Sequence, residues 1–234
     1  MGWSIDIGVV STHKYAIKES GDVVEIVDLP DGGLGLIVAD GQGSGPAARL
    51  VARSTAAQAW SLLQQGVRPD GVAAAVSDAL FSSKGGKVSV SLDVARIDRN
   101  GSIEIARLST NVLLTWGDEG WRIRETSSEP AGRYDLQIPK LQSIVPGTTS
   151  AFVIITDGVA DAGKSHGDTA PILMNIPDLG PDVTATTLAE RTFADAMERE
   201  DGRPGDDMTV VACLLSRSQR DQRVERRSLH REVR

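Results

Sequence analysis

Cysteine is almost missing from this 234-residue chain. Cys213 is the only one, so no disulfide can form within the chain, and its apolar, strand-like surroundings mark it as a small core residue. Histidine is scarce too: His13, His166 and His230 stand apart with no ligand spacing such as HxxxH, and each reads as a surface or loop residue. Aromatics make up only 4% of the sequence, and Trp3, Trp60, Trp116 and Trp121 are spread over helices and hairpins as core or interface filling. No apolar run reaches the roughly 18 residues of a membrane span, and the opening MGWSIDIGVVS has no basic segment, so the expected localisation is cytoplasmic. Basic excess is lacking as well. A net charge of −7 and a pI near 5.0 argue against a general nucleic-acid binder, which draws its affinity from phosphate neutralisation.

Charge is unevenly distributed. From Arg217 to Arg234 the chain carries a net +4, which leaves the body at −11. This gives an expected division into a folded domain over 1–216 and a flexible Arg-rich tail over 217–234, since the tail has almost no large apolar residues to pack.

The period of the apolar residues then outlines the fold. Ile5, Ile7 and Val9 alternate with polar or small residues, Val23 to Val27 continues the pattern, and Leu34 to Ala39 is apolar throughout, as in a strand covered on both faces. Asp31-Gly32-Gly33 is a hairpin turn between the last two. After Gly41 the period becomes helical: Ser44 is the expected cap, Pro46 suits the first turn, and Leu50, Val51 and Ala57 form the expected buried face of a helix ended by Gly66. A second helix, capped by Asp70, runs through Val72, Ala75, Val76 and Leu80. Residues 87–125 return to strands with turns at Arg99-Asn100-Gly101 and Gly117 to Gly120, and two further strands are expected before Ala151. Gly163 to Asp182 reads as a long loop with one helical turn near Ile172 to Asn175. A third helix spans Thr184 to Glu200, with Ala189, Phe193, Ala196 and Met197 on one face, and Met208 to Leu215 is the last strand. Hairpin-joined strands with segregated helices make an α+β layered sandwich.

Three acidic stretches carry the chemistry: LGLIVADGQGSG from Leu34, AFVIITDGVADAG from Ala151 and GDDMTVVACLL from Gly205. Each presses Asp against a buried strand, and strands of this kind deliver their ends to fixed places, so Asp40, Asp157 and the Asp206-Asp207 pair can converge. Oxygen ligands without His or Cys companions suit Mg²⁺ or Mn²⁺ rather than zinc. A single Asp-Gly after a strand is ordinarily only a turn; the argument rests on all three together. The GxGxG after Asp40 is not a dinucleotide loop, because it lacks the full GxGxxG and its strand-helix setting.

The order Ser20-Gly21-Asp22, Ala39-Asp40-Gly41-x-Gly-x-Gly, Thr156-Asp157-Gly158-Val159 and Gly205-Asp206-Asp207-Met208-Thr209-Val210 resembles the protein phosphatase 2C-like, metal-dependent family over roughly residues 3–215. The match is to its bacterial branch of stage II sporulation protein E phosphatase domains and sigma-B regulatory phosphatases. The resemblance implies a four-layer α-β-β-α sandwich, two mainly antiparallel sheets flanked by helix pairs. It also implies two Mn²⁺ or Mg²⁺ ions. Asp40 would bridge them, Asp22 and the Gly41 carbonyl would complete one site, and Asp157 with Asp206 would hold the other; of the adjacent pair the family pattern favours Asp206 over Asp207. A metal-activated water would then attack a phosphoserine or phosphothreonine in line. Two departures stand out. Gln42 replaces the His that follows the first Asp-Gly in eukaryotic relatives, and Ser109-Thr110-Asn111 lacks the Asp that supports a third metal in other branches.

A stand-alone form resembles the stressosome feedback phosphatase, which implies a phosphorylated STAS-domain protein as partner and substrate. The competing reading is a non-catalytic phosphatase-like module that grips a phosphorylated partner; retention of Asp40, Asp157 and Asp206 speaks against it. The helices over Ser44–Gln65 and Asp70–Ser82 occupy the place of those that reposition the metal site in the sporulation branch; rich in small residues, they are either a pair able to shift or simply well-packed cover.

Overall fold

The computed structural model describes residues 2–124, 128–145, 149–164, 167, 176–180 and 182–218. The helical turn expected near 172–175, His166, His230 and the Arg-rich segment beyond 218 lie outside these residues.

Two five-stranded antiparallel sheets stack face to face. In the first, β1 (Gly2–Thr12) pairs along its whole length with β10 (Met208–Ser218), followed by β9 (Thr149–Ile155), β6 (Val112–Gly117) and β7 (Gly120–Arg124). In the second the order is β2 (Asp22–Asp28), β3 (Leu34–Gly41), β4 (Val90–Ile97), β5 (Ile103–Leu108) and β8 (Lys140–Ile144). Helices α1 (Pro46–Gln64) and α2 (Pro69–Lys84) cover the second sheet; α3 (Asp157–Ala160) and α4 (Ala185–Arg199) cover the first. This is the expected α-β-β-α sandwich.

The alternation of side chains along buried strands builds all three interior layers at once. On β3, Leu36 and Val38 enter the core between the sheets, while Ile37 and Ala39 pack beneath α1 and α2. On β10, Val211, Cys213 and Leu215 face the other sheet, while Met208, Val210 and Ala212 face α4. Cys213 is fully buried, and burial pushes its thiol well above the ordinary range, so it has no nucleophilic role.

The helices lie where expected but turn other faces inward. Ala48, Ala52, Thr55, Ala56, Ala59 and Leu63 form the buried side of α1, whereas Leu50 is 72% exposed and Ala57 faces solvent. The cause is close approach: a Cβ on Gly41 would lie 2.5 Å from the Ala48 carbonyl oxygen, so only small side chains fit between α1 and β3. Gly45, not Ser44, occupies the N-cap of α1, and no side chain caps it. Arg68 holds the N-cap of α2, placing Asp70 in the first turn, where its charge suits the helix N-terminus. Ala75 points outward; Val72, Ala73, Val76, Ser77 and Leu80 point in.

Between β7 and β9 the described residues hold one further strand, β8, not two, with an isolated bridge from Ala131 to Val90. Trp116 and Trp121 meet edge to face across the β6–β7 hairpin at 5.3 Å. Trp3 lies against Gly101 with the Arg217 guanidinium 4.3 Å above its ring, and Trp60 is a surface residue at 39% exposure.

Candidate metal centre

The register of β2 against β3 sets Asp22 directly opposite Asp40. Both lie where the second sheet meets the ends of β9 and β10 from the first. Thr156, the residue after β9, joins the two: its hydroxyl donates to Asp22 Oδ2 at 3.2 Å and accepts the Thr209 amide at 2.9 Å. The next residue, Asp157, opens α3, and Gly158 follows because a Cβ there would stand 2.1 Å from the Asp207 carbonyl oxygen.

The adjacent acids that lead into β10 have different surroundings. Asp207 is buried, with Oδ1 accepting the Lys14 amide and Oδ2 the Gly21 amide, each at 2.7 Å. It thereby holds the loop leading into Asp22. Asp206 is half-buried, its Oδ1 accepting only the Asp207 amide at 2.9 Å.

A cavity of about 170 Å³ opens among Asp40, Asp157, Asp206 and Asp207, with Gln42, Ser89, Ser91 and Thr110 on its polar wall. Of the acids expected at the site, Asp40, Asp157 and Asp206 reach this cavity. Asp22 sits behind Asp40, away from the lining, and Gly41 is buried beneath Ala48. Burial raises Asp40 to about 9, helped by the charges of Asp22, Asp157 and Asp206. Burial likewise raises Asp22 to about 6, against the Thr209 and Thr156 hydroxyls, with Asp207 and Asp157 adding to the rise. Asp157 is raised by burial and then by Asp206.

The acids ring the cavity without forming a finished cage: among the described residues no three His, Cys, Asp or Glu side chains are gathered closely enough to hold an ion as they stand. Their chemistry nevertheless fits a hard divalent cation. All are oxygen donors, they oppose one another's ionisation, and Asp22 Oδ1 is buried with no hydrogen-bond partner, although the Thr209 hydroxyl lies close enough to favour its charge. A cation among them offsets the repulsion and gives the buried oxygens a partner.

Several polar features were not read from the sequence. Gln42 Oε1 accepts the Ser89 amide and hydroxyl, both at 3.2 Å, and since a backbone N–H can only donate, this fixes which end of the amide faces Ser89. The Ser91 and Thr110 hydroxyls bond each other at 2.9 Å on the cavity wall. Behind them Asp93 and Arg107 form a fully buried ion pair at 2.6 Å, with Ser109 and Asn111 each donating to Asp93 Oδ2 at 2.8 Å. Thr110 therefore takes the cavity position in the 109–111 turn while its neighbours face inward. The signal for the pair was only partial: VSLDVARI and IEIARL each set two charged residues among apolar ones, and the pattern does not say which two meet inside the fold.

The family profile of stage II sporulation protein E (SpoIIE) matches residues 30–215. A search of curated proteins returns no significant match. Among solved structures, the PP2C phosphatase domain of SpoIIE from Bacillus subtilis with a fragment of its regulatory domain aligns at TM-score 0.81 and 17% identity. That alignment covers 94% of this chain but 65% of the SpoIIE chain, so the chain spans less than two thirds of that relative. A serine/threonine phosphatase from S. agalactiae aligns at TM-score 0.72 and 12% identity, covering 90% of this chain and 99% of its own. RsbX in complex with magnesium aligns at 0.67 and 16%, covering 91% and 96%. At these identities the structures speak for the fold, and the profile, which spans most of the sequence including the Asp40, Asp157 and Asp206 motifs, speaks for descent: the chain belongs to the SpoIIE family, on the PP2C-like metal-dependent phosphatase fold.

Proposed function

We propose that the chain is a metal-dependent protein-serine/threonine phosphatase whose Asp22, Asp40, Gly41, Asp157 and Asp206 hold two Mn²⁺ or Mg²⁺ ions. The observation that carries this is the ring of mutually repelling carboxylates at the junction of the two sheets, with Asp40 pushed up to about 9. When bound, two divalent cations supply the positive charge that turns a water into a nucleophile near neutral pH and that neutralises a phosphate.

The chain's own residues do the rest. Asp40, Asp157 and Asp206 approach from three strands, which gives the site a rigid frame. Asp207 and Thr156 keep Asp22 and its loop in place. With Gln42 Oε1 held by Ser89, the amide NH₂ is the end left to donate to a phosphate oxygen, and the Ser91–Thr110 pair offers hydroxyls on the same wall. Gln42 donates a hydrogen bond there, not a proton, so it is not a general acid for the leaving oxygen. Covalent catalysis has no support: the one cysteine is buried between the sheets, and among the described residues no His pairs with a Ser.

A phosphorylated STAS-domain regulator of a bacterial stress or sigma-factor pathway is the substrate that the resemblance to sigma-B regulatory phosphatases supports. The test is hydrolysis of p-nitrophenyl phosphate and of a phosphoserine protein with and without Mn²⁺. Metal-dependent turnover of both is expected; absence of turnover on either substrate at saturating Mn²⁺ would refute the enzyme.

A further inference from the structure

Next to the carboxylate cavity, and sharing Thr110 and Pro130 with it, lies a larger groove of about 550 Å³. Its apolar lining comes from Leu108, Tyr134 and Ile138. We propose that this groove docks an apolar side chain of the phosphorylated polypeptide, close in sequence to the phosphoserine or phosphothreonine. The inference rests on the phosphatase reading and extends it to substrate selection.

Two observations point to a binding surface rather than to leftover surface. First, the outer wall is held rigidly though it adds little to the core. Gln137 ties it together: Oε1 accepts from the Ser77 hydroxyl at 2.9 Å, the Arg133 amide at 3.1 Å and the Tyr134 amide at 3.3 Å, while Nε2 donates to the carbonyls of Glu129 and Pro130. The Gly132 amide donates to the buried Ser77 on α2, and Ala131 exchanges two backbone hydrogen bonds with Val90 on β4. Second, this wall presents apolar side chains to water: Tyr134 is 52% exposed and Ile138 87%, and Leu136, beside the groove and not in its lining, is 74% exposed. Leu136 also has φ +50°, a left-handed conformation costing a residue of this shape about 1 kcal/mol or more. Packing does not repay that cost at a position so exposed. An anchored backbone that holds apolar side chains out to water suits a docking surface, because little backbone freedom is lost on binding.

Continuity with the carboxylate cavity decides the occupant. A phosphate held near Asp40 and Asp157 lies beyond Thr110 and Pro130 from the groove, so a chain attached to that phosphate leads into it. A small phosphate ester fills the carboxylate cavity alone and gains nothing from the groove.

The experiment uses the full chain with Mn²⁺ and a panel of phosphoserine peptides in which one leucine is walked along an alanine-serine background on both sides of the phosphate. Wild-type kcat/KM should peak at one leucine position, about tenfold above the leucine-free parent. Ile138→Asp should erase that peak through KM and leave p-nitrophenyl phosphate hydrolysis within about twofold. Tyr134→Ala serves as the second variant if Ile138→Asp folds poorly. A flat leucine profile, a peak that survives both variants, or a parallel loss on the aryl phosphate overturns the docking site alone. So does a dimer of the wild-type chain that Ile138→Asp dissociates, since the groove is then covered by a second copy. Wild-type protein inactive on every substrate overturns the phosphatase reading, and this inference with it.

Discussion

Two groups of acids lie on neighbouring strands of one sheet, Asp93 and Asp22 buried and Asp40 half-buried, and they are built in opposite ways. Asp93 on β4 carries its own cation: Arg107 faces it, Ser109 and Asn111 complete its hydrogen bonds, and both of its oxygens are satisfied. Asp22 and Asp40, on β2 and β3, have other acids as their main charged neighbours, and one Asp22 oxygen is orphaned. A structural carboxylate is neutralised from within the chain. A carboxylate cluster left uncompensated stores repulsion that only a cation from solution relieves. The same contrast separates Asp207, bonded to two loop amides, from its neighbour Asp206, which is free to face the cavity.

Breaking the internally compensated pair should have the largest effect on folding. Arg107→Met leaves Asp93 buried without its cation and should cost about 3–5 kcal/mol, read as a lower urea midpoint in the presence and absence of Mn²⁺ alike. Asp40→Asn should act in the opposite sense on stability while lowering turnover by more than about a hundredfold, beyond the usual cost of losing a supporting partner. The sign follows from proton binding. Asp40 near 9 and Asp22 near 6 hold protons in the folded chain that free carboxyls, near 3.8, release once unfolded. Metal-free wild type should therefore lose stability as pH rises from about 4 towards 9. In Asp40→Asn the part of that fall above about pH 6 should vanish, which urea unfolding across pH will show. A smaller effect is expected at Asp207→Ala: loss of two charge-assisted hydrogen bonds should cost about 2–3 kcal/mol, and turnover should fall less than in Asp206→Asn.

Much of this was legible in the sequence, and the exceptions share one cause. Strand β3 announced itself because a strand buried on both faces is apolar throughout, and the Asp at its end was placed by that strand. The existence of α1 was legible as well. Its inward face was not, since alanine lines it only because Gly41 lets the helix approach β3 closely, and that closeness is a property of the assembled layers. The role of Asp207 was hidden for the same reason: its partners, Lys14 and Gly21, lie 193 and 186 residues away. Gln137 carried no signal at all, being one polar residue in an irregular segment whose importance lies in five hydrogen bonds.

Calorimetric titration of the metal-free chain with Mn²⁺ at pH 7, in two buffers of different ionisation enthalpy, tests the central claim most directly. Because Asp40 is raised to about 9, it binds a proton at that pH and must release it to ligate. Two ions per chain are predicted, with about one proton released as they bind and with both binding and release lost in Asp40→Asn. No uptake of Mn²⁺, or uptake that releases no proton and is indifferent to Asp40→Asn, would contradict a metal centre built on these carboxylates.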